Sequence, residues 1–301
     1  MNKEQKGYYL VTFAVITLVF FYLVNDYVFR TFENISVTNV VFWGWFGANI
    51  VLSPIFLGTT NSRKRLKNEI LTHGKLALIV SILTSIGGFL WFVAISESSS
   101  GIISLLEKSN ILFVFLLGIL FLREKVSMKE LLSVGIAIVG LFLIANLEGE
   151  VSGLGVFAIF LGQFLYAIQS FLIKKKGGKM DSFFFSYVRS VLMLVFTGIF
   201  FGVLGKIGLI PIKVFLILTG SQILGVFVSR YLYFEAHKFF PISKLSFLML
   251  AESILVLLGA YFLFGDIITM EKVVGAGLIV FGLAFFLKEQ GLLKAGKDSP
   301  E

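Results

Sequence analysis

Apolar runs of about twenty residues recur along almost the whole chain, broken by short polar stretches. They fall at about 8–28, 37–57, 76–95, 99–122, 128–146, 153–173, 182–204, 212–234, 241–264 and 269–287. As α-helices rising about 1.5 Å per residue, each is long enough to cross roughly 30 Å of hydrocarbon. In lipid every backbone polar group must be satisfied within the segment, so a run of this kind predicts a helix. The pattern therefore predicts an all-α integral membrane protein with ten transmembrane helices. Almost nothing is left over for a soluble catalytic domain.

The runs repeat. Residues 91–143 and 233–285 align without a gap, 142 positions apart. Phe92 falls on Phe234, Ala94 on Ala236, Ser104 on Ser246, Gly135 on Gly277 and Gly140 on Gly282. The stretch Glu124 to Met128 falls on Asp266 to Met270. The first two spans of each half match at a shift of 144, which pairs Tyr22 with Tyr166, Asn25 with Gln169 and Arg30 with Lys174. The expected units are a first five-helix repeat over 1–147, a second over 148–287 and a polar cytoplasmic tail over 288–301. Duplicated sets of membrane helices are the architecture of transporters that bind solute between related halves.

Charge sets the orientation. The net charge is +8, but the basic residues lie in short loops beside apolar spans, which argues for a lipid bilayer as partner and against nucleic acid. With the amino terminus inside, nineteen of the 26 Lys and Arg residues fall on the inner side, four on the outer side and three within spans. Both termini are thus expected in the cytoplasm of a multi-pass protein of the cytoplasmic (inner) membrane. Five spans per half, an odd number, make the second half enter upside down, so the repeat is inverted. There is no cysteine, which removes disulfide and thiolate chemistry. The first apolar run is too long for a signal peptide and no small-residue cleavage site follows, so it reads as a retained helix.

Two short motifs point to a family. Phe121-Leu122-Arg123-Glu124-Lys125-Val126-Ser127 ends span four, and Gly135 and Gly140 follow in span five. Phe264-Gly265-Asp266-Ile267-Ile268-Thr269 ends span nine, with Gly277 and Gly282 following. With ten spans in two halves and Arg189 in span seven, the chain resembles the drug/metabolite transporter superfamily, and within it the EamA-type ten-helix carriers. The resemblance implies a carrier of small organic solutes, usually exporting, with a cavity between the halves. It also implies a proline midway along spans four and nine. This chain has Ser109-Asn110 and Ala251-Glu252 there, and Trp45 where the second half has Arg189.

Charges inside spans mark candidate chemistry, because each costs about 2.5–3.5 kcal/mol at bilayer centre and needs a partner or a wet cavity. In span four, read as a continuous helix, Glu107 and Asn110 share a face with Ser104 and Val114, and Lys108 is turned roughly 100° away from Glu107. Glu252 in span nine occupies the repeat position of Asn110. Those residues form the expected centre of the site. Arg189 and Arg230, with Tyr187, Tyr231 and Tyr233, are candidates for holding a carboxylate or phosphate. The plainer reading pairs Arg189 with Glu252 or Glu107 in a structural ion pair and lets Arg230 snorkel to the interface. Trp43, Trp45 and Trp91 are candidates for an aromatic wall. Gln163, Tyr166 and Gln169 share a polar face of span six, which either lines a pore or holds helices together.

His73 and His237 fall in predicted loops, so no metal cluster is expected, and no cofactor either. No nucleophile–base pair is in sight, which argues against an enzyme. Asp26, Asp181 and Asp266 fall at helix ends. The favoured reading is a secondary transporter, monomeric or homodimeric, carrying a small-molecule solute by alternating access, with protons as a second partner. The rival is a non-transporting membrane sensor or assembly partner, which predicts a core sealed by Phe rather than a polar cavity.

Overall fold

The computed structural model describes residues 3–110, 112–113, 116–117, 127–145, 152–176, 180–236, 239 and 242–289. The motif Phe121–Val126, the loop 146–150, His237 and the tail from 290 onward lie outside the described residues. The helices are α1 (Lys3–Thr31), α2 (Val37–Leu57), α3 (Thr60–Ser96), α4 (Ser100–Leu106 as described) and α5 (Met128–Ala145). They continue as α6 (Gly153–Lys176), α7 (Ser182–Val203), α8 (Ile212–Ala236), α9 (Ile242–Phe264) and α10 (Met270–Glu289). These ten correspond in order to the ten expected spans. Among the described residues α1, α2, α3, α6, α7 and α8 are long and apolar enough to cross a membrane, and α5 and α9 hold shorter apolar stretches.

Local chemistry explains most helix ends. Ser36, Thr59 and Asp181 occupy N-caps and accept from Asn39, Ser62 and both Phe183 and Phe184 backbone N–H groups, which satisfies donors that the first turn leaves open. At the other end of α7, Gly205 has φ +60°; its N–H donates to Gly202 O at 3.0 Å and Lys206 N–H to Phe201 O at 2.9 Å. That is a Schellman stop, and only glycine takes this backbone conformation without strain. Gly265, at φ +73°, ends α9 and turns Asp266 back toward α1.

The 37 residues of α3 exceed what a bilayer requires. Its first turns, Thr60 to Lys75, were expected as a loop and are helical instead. Thr59 starts the helix early, and the Glu69–His73 pair at i,i+4 (2.9 Å) lies inside it. His73 is therefore a helical residue, not a loop residue.

Packing follows the repeat. In α5 and α10 a Cβ on Gly140 would sit 2.7 Å from Gly275 O and 3.0 Å from Ile279 Cγ1. A Cβ on Gly282 would sit 2.7 Å from Ser133 O and 3.0 Å from Ala137 Cβ. Gly282, Gly275 and Ile279 are the repeat positions of Gly140, Ser133 and Ala137, so the contact is reciprocal, and the two helices run antiparallel. Gly135 and Gly277, the other matched pair, both face open space. The α4–α9 pair is also antiparallel, with Gly101 against Leu257 and Ser104 against Ser253. The further pairings α3–α6 and α8–α1, and α3–α7 and α8–α2, are related in the same way. The result is a pseudo-twofold bundle with its polar residues near the axis.

Candidate functional site

The centre of the bundle begins where α4 stops. At Glu107 and Lys108 the chain leaves α-helical bonding: Lys108 N–H donates to Leu105 O (3.1 Å) and Asn110 N–H to Glu107 O (3.0 Å), each three residues back. The expected unbroken helix through 99–122 is thus tightened where its charges lie, a feature often found at functional positions. The expected face shared with Ser104 is lost as well. Ser104 Oγ donates to Gly101 O (2.8 Å), and Ser104 O accepts from Ser253 Oγ (2.7 Å). Ser104 is spent on the α4–α9 contact.

Lys108 crosses to the second half. Its Nζ lies 2.6 Å from Glu252 Oε2, with both side chains buried. The plainer reading paired Arg189 with Glu252 or Glu107; α9 instead presents Glu252 to the tightened turn of α4. Glu107 points elsewhere and accepts from Gln163 Nε2 at 3.0 Å, while Asn110 Nδ2 donates to Gln163 O at 2.9 Å. Among the described residues no cation forms an ion pair with Glu107.

Glu107, Lys108, Asn110, Gln163, Tyr166, Gln169, Arg230, Tyr233 and Glu252 line one cavity of about 120 Å³ between the halves. Ser170 and Phe234 also line it, so it extends toward the end of the bundle where α6 and α8 finish. A second cavity of about 40 Å³ shares Leu18, Glu107, Tyr166 and Arg230 with the first. Its walls include Phe21, Tyr22, Trp45, Trp91 and Arg189. Trp91 is packed edge-on against Tyr22 (5.0 Å) and stacked on Phe21 (5.0 Å), so one side of the cavity is an interlocked aromatic cluster.

Arg189 is 1% exposed and forms no ion pair among the described residues. Its Nη2 donates to Val226 O at 3.2 Å, and its Nε has no partner. Val226 belongs to a π-helical stretch, Ile223–Val228, in the middle of α8, where Ser229 N–H reaches back five residues to Leu224 O. This extra residue per turn shifts the register of everything after it. Arg230 consequently lines both cavities, with its guanidinium 6.0 Å from the Tyr166 ring centroid, instead of snorkelling to an interface.

Three expected residues are placed elsewhere. Tyr187 stacks on Phe56 at 4.0 Å and shares a hydrogen bond with Ser53 Oγ (2.9 Å), inside an aromatic cluster. Tyr231 packs on Phe183, and Trp43 Nε1 donates to the Gly208 carbonyl at one end of the bundle. None of the three lines either cavity. Tyr187 and Tyr231 were grouped with the arginines by nearness in sequence, but neighbours on a helix point in different directions. Tyr22 and Thr84 are among the wall residues not singled out for the site in the sequence. Tyr22 was visible as the repeat counterpart of Tyr166. Thr84, which donates to Gln169 Oε1 at 2.5 Å, carries no sequence signal of its own.

The model of the EamA-like transporter family matches residues 5–146 and again 153–288. This chain belongs to the EamA-like transporter family. Its two matched segments coincide with the two halves of the bundle, and membership points to a multi-pass membrane transporter of small solutes. A solved structure titled "Crystal structure of protein" overlays on 98% of this chain and 100% of its own, with a TM-score of 0.62 at 12% identity, a likeness of fold. A search of curated proteins returns no match.

Proposed function

We propose that this EamA-like protein exports a small organic metabolite or drug across the cytoplasmic membrane by alternating access, coupled to protons through Glu107 and Glu252. One observation carries the reading. A polar cavity lies between the two halves, bridged by the Lys108–Glu252 pair and lined by Glu107, which forms no ion pair among the described residues. Ionisable groups inside spans commonly mark solute paths and proton relays. The rival, a non-transporting sensor or assembly partner, predicts a core sealed by Phe in place of such a cavity.

Cavities of about 120 and 40 Å³ hold waters but are well below the roughly 300–1,000 Å³ of sites that enclose a drug-sized ligand. Entry of a solute larger than these cavities would require the halves to move apart at one face. Both termini are proposed to face the cytoplasm on the strength of the basic loops.

Purified protein in liposomes tests the coupling. Solute flux is expected to rise with an imposed pH gradient in the wild type and to lose that dependence in Glu107→Gln. Flux indifferent to the gradient in the wild type refutes the coupling role.

A further inference from the structure

The repeat predicts its own exceptions. Trp45 and Arg189 occupy the same position in the two halves, 144 residues apart, yet they differ in chemistry. Both are buried, at 3% and 1% exposure, and both line the smaller cavity. Each also presents a buried N–H donor, Nε1 of Trp45 and Nε of Arg189, that meets no acceptor. A buried unsatisfied donor costs about 1–3 kcal/mol, more on a charged group. Two such donors at pseudo-equivalent positions on one cavity leave both N–H groups available to a ligand oxygen.

The charges say what kind of acceptor. Lys108 is neutralised by Glu252, and Glu107 is occupied by Gln163. Arg189 and Arg230 remain, two cations against one acid, so the cavity keeps a net positive charge. Donors facing the cavity, surplus positive charge and an aromatic wall of Phe21, Tyr22 and Trp91 together define a ligand. It has an anionic head with free lone pairs and an apolar body.

We propose that Trp45 and Arg189, with Arg230 adding the second positive charge, form an anion-recognition site, and that the solute is a small organic carboxylate or phosphate with an apolar body. Guanidinium and indole N–H groups both donate to such oxygens, and guanidinium does so bidentately. That the anion is carried rather than merely bound rests on the transport reading above. Binding is tested separately from flux so that the two can fail separately.

The test is a thermal-shift and equilibrium-binding series on purified full-length protein with four probes of similar shape: benzoate, phenyl phosphate, benzamide and benzylamine. Benzoate or phenyl phosphate is expected to raise the melting temperature saturably, whereas benzamide and benzylamine do not; the difference between the two anions reports carboxylate against phosphate. Trp45→Phe keeps the ring and removes the donor, and is expected to weaken anion binding about tenfold, the loss of one hydrogen bond to a charged group. Arg189→Gln is expected to abolish it. Glu107→Gln, which removes the one opposing charge and leaves the fold in place, is expected to strengthen it. A structural role for Arg189 does not predict that gain. Equal stabilisation by benzamide, no response to either anion, or wild-type affinity in Trp45→Phe overturns the proposal, whatever flux shows.

Discussion

Lys108 and Glu252 illustrate what a buried pair does and does not contribute. Their 2.6 Å contact joins the halves, but both groups have lost water, and attraction in a buried pair commonly does little more than offset that loss. Removing one partner is a different matter, since the other is left buried and charged. Glu252→Gln is therefore expected to lower stability by about 3–5 kcal/mol. The double variant Lys108→Met with Glu252→Leu is expected to recover most of that loss in thermal unfolding in detergent, yet not to recover transport. Should Glu252→Gln melt like the wild type, the pair is not formed in the protein. The pairing itself was not visible in the sequence. Helical geometry correctly turned Lys108 away from Glu107, but the helix that faces Lys108 is a tertiary fact. Arg189, which the plainer reading paired with Glu252 or Glu107, donates instead to a carbonyl in the π-helical stretch.

At the scale of helices, run length and glycine spacing carried most of the architecture. Twenty apolar residues between polar breaks leave few alternatives in lipid, so ten elements were legible. Of the glycines matched by the repeat, Gly140 and Gly282 lie at the α5–α10 crossing, where the close approach of two backbones leaves no room for a Cβ. The same logic separates the four glycines experimentally. Gly140→Ala and Gly282→Ala each drive a methyl against a backbone carbonyl, at 2.7 Å in both cases, and each is expected to cost about 1–3 kcal/mol. Gly135→Ala and Gly277→Ala meet nothing within 4 Å and are expected to be neutral or to stabilise by up to about 1 kcal/mol through helix propensity. Melting temperatures of the four variants decide it; a cost confined to one half contradicts the reciprocal crossing. What the runs could not reveal were departures from regular helix. The tightened turn at Glu107 and the π-helical stretch at Ile223–Val228 leave hydrophobicity unchanged, because they shift register by a single residue. Both bear on the site, since they aim Lys108 and Arg230.

Across the whole molecule, the two faces of the bundle are fastened by unequal latches. At one face Arg30 lies 2.6 Å from Asp26 and 2.8 Å from Asp266, and Asp26, 2% exposed, also accepts from Ser100 N–H at 3.0 Å. This joins α1 and the start of α4 to the end of α9. At the other face Arg65 pairs with Asp181 at 2.5 Å, and Asp181 N–H donates to Glu69 Oε2, joining the extension of α3 to the start of α7. Arg65 is more than half exposed, and exposed pairs contribute about 1 kcal/mol at most. Breaking the Arg30 latch strands a buried carboxylate and should cost more. In the alternating-access cycle proposed above, each latch is expected to hold its own gate shut, so that loosening one shifts the population toward opening at that face, tenfold for every 1.4 kcal/mol or so. The native chain has no cysteine, so a single Leu18→Cys, whose side chain lines both cavities, reports access without background. With Arg30→Ala, a membrane-impermeant maleimide applied at the Arg30 face is expected to label Cys at position 18 at least about ten times faster. With Arg65→Ala, labelling from the opposite face is expected to rise by a smaller factor. Equal acceleration from both faces in either variant would mean general loosening of the bundle, and would remove the latches from the cycle.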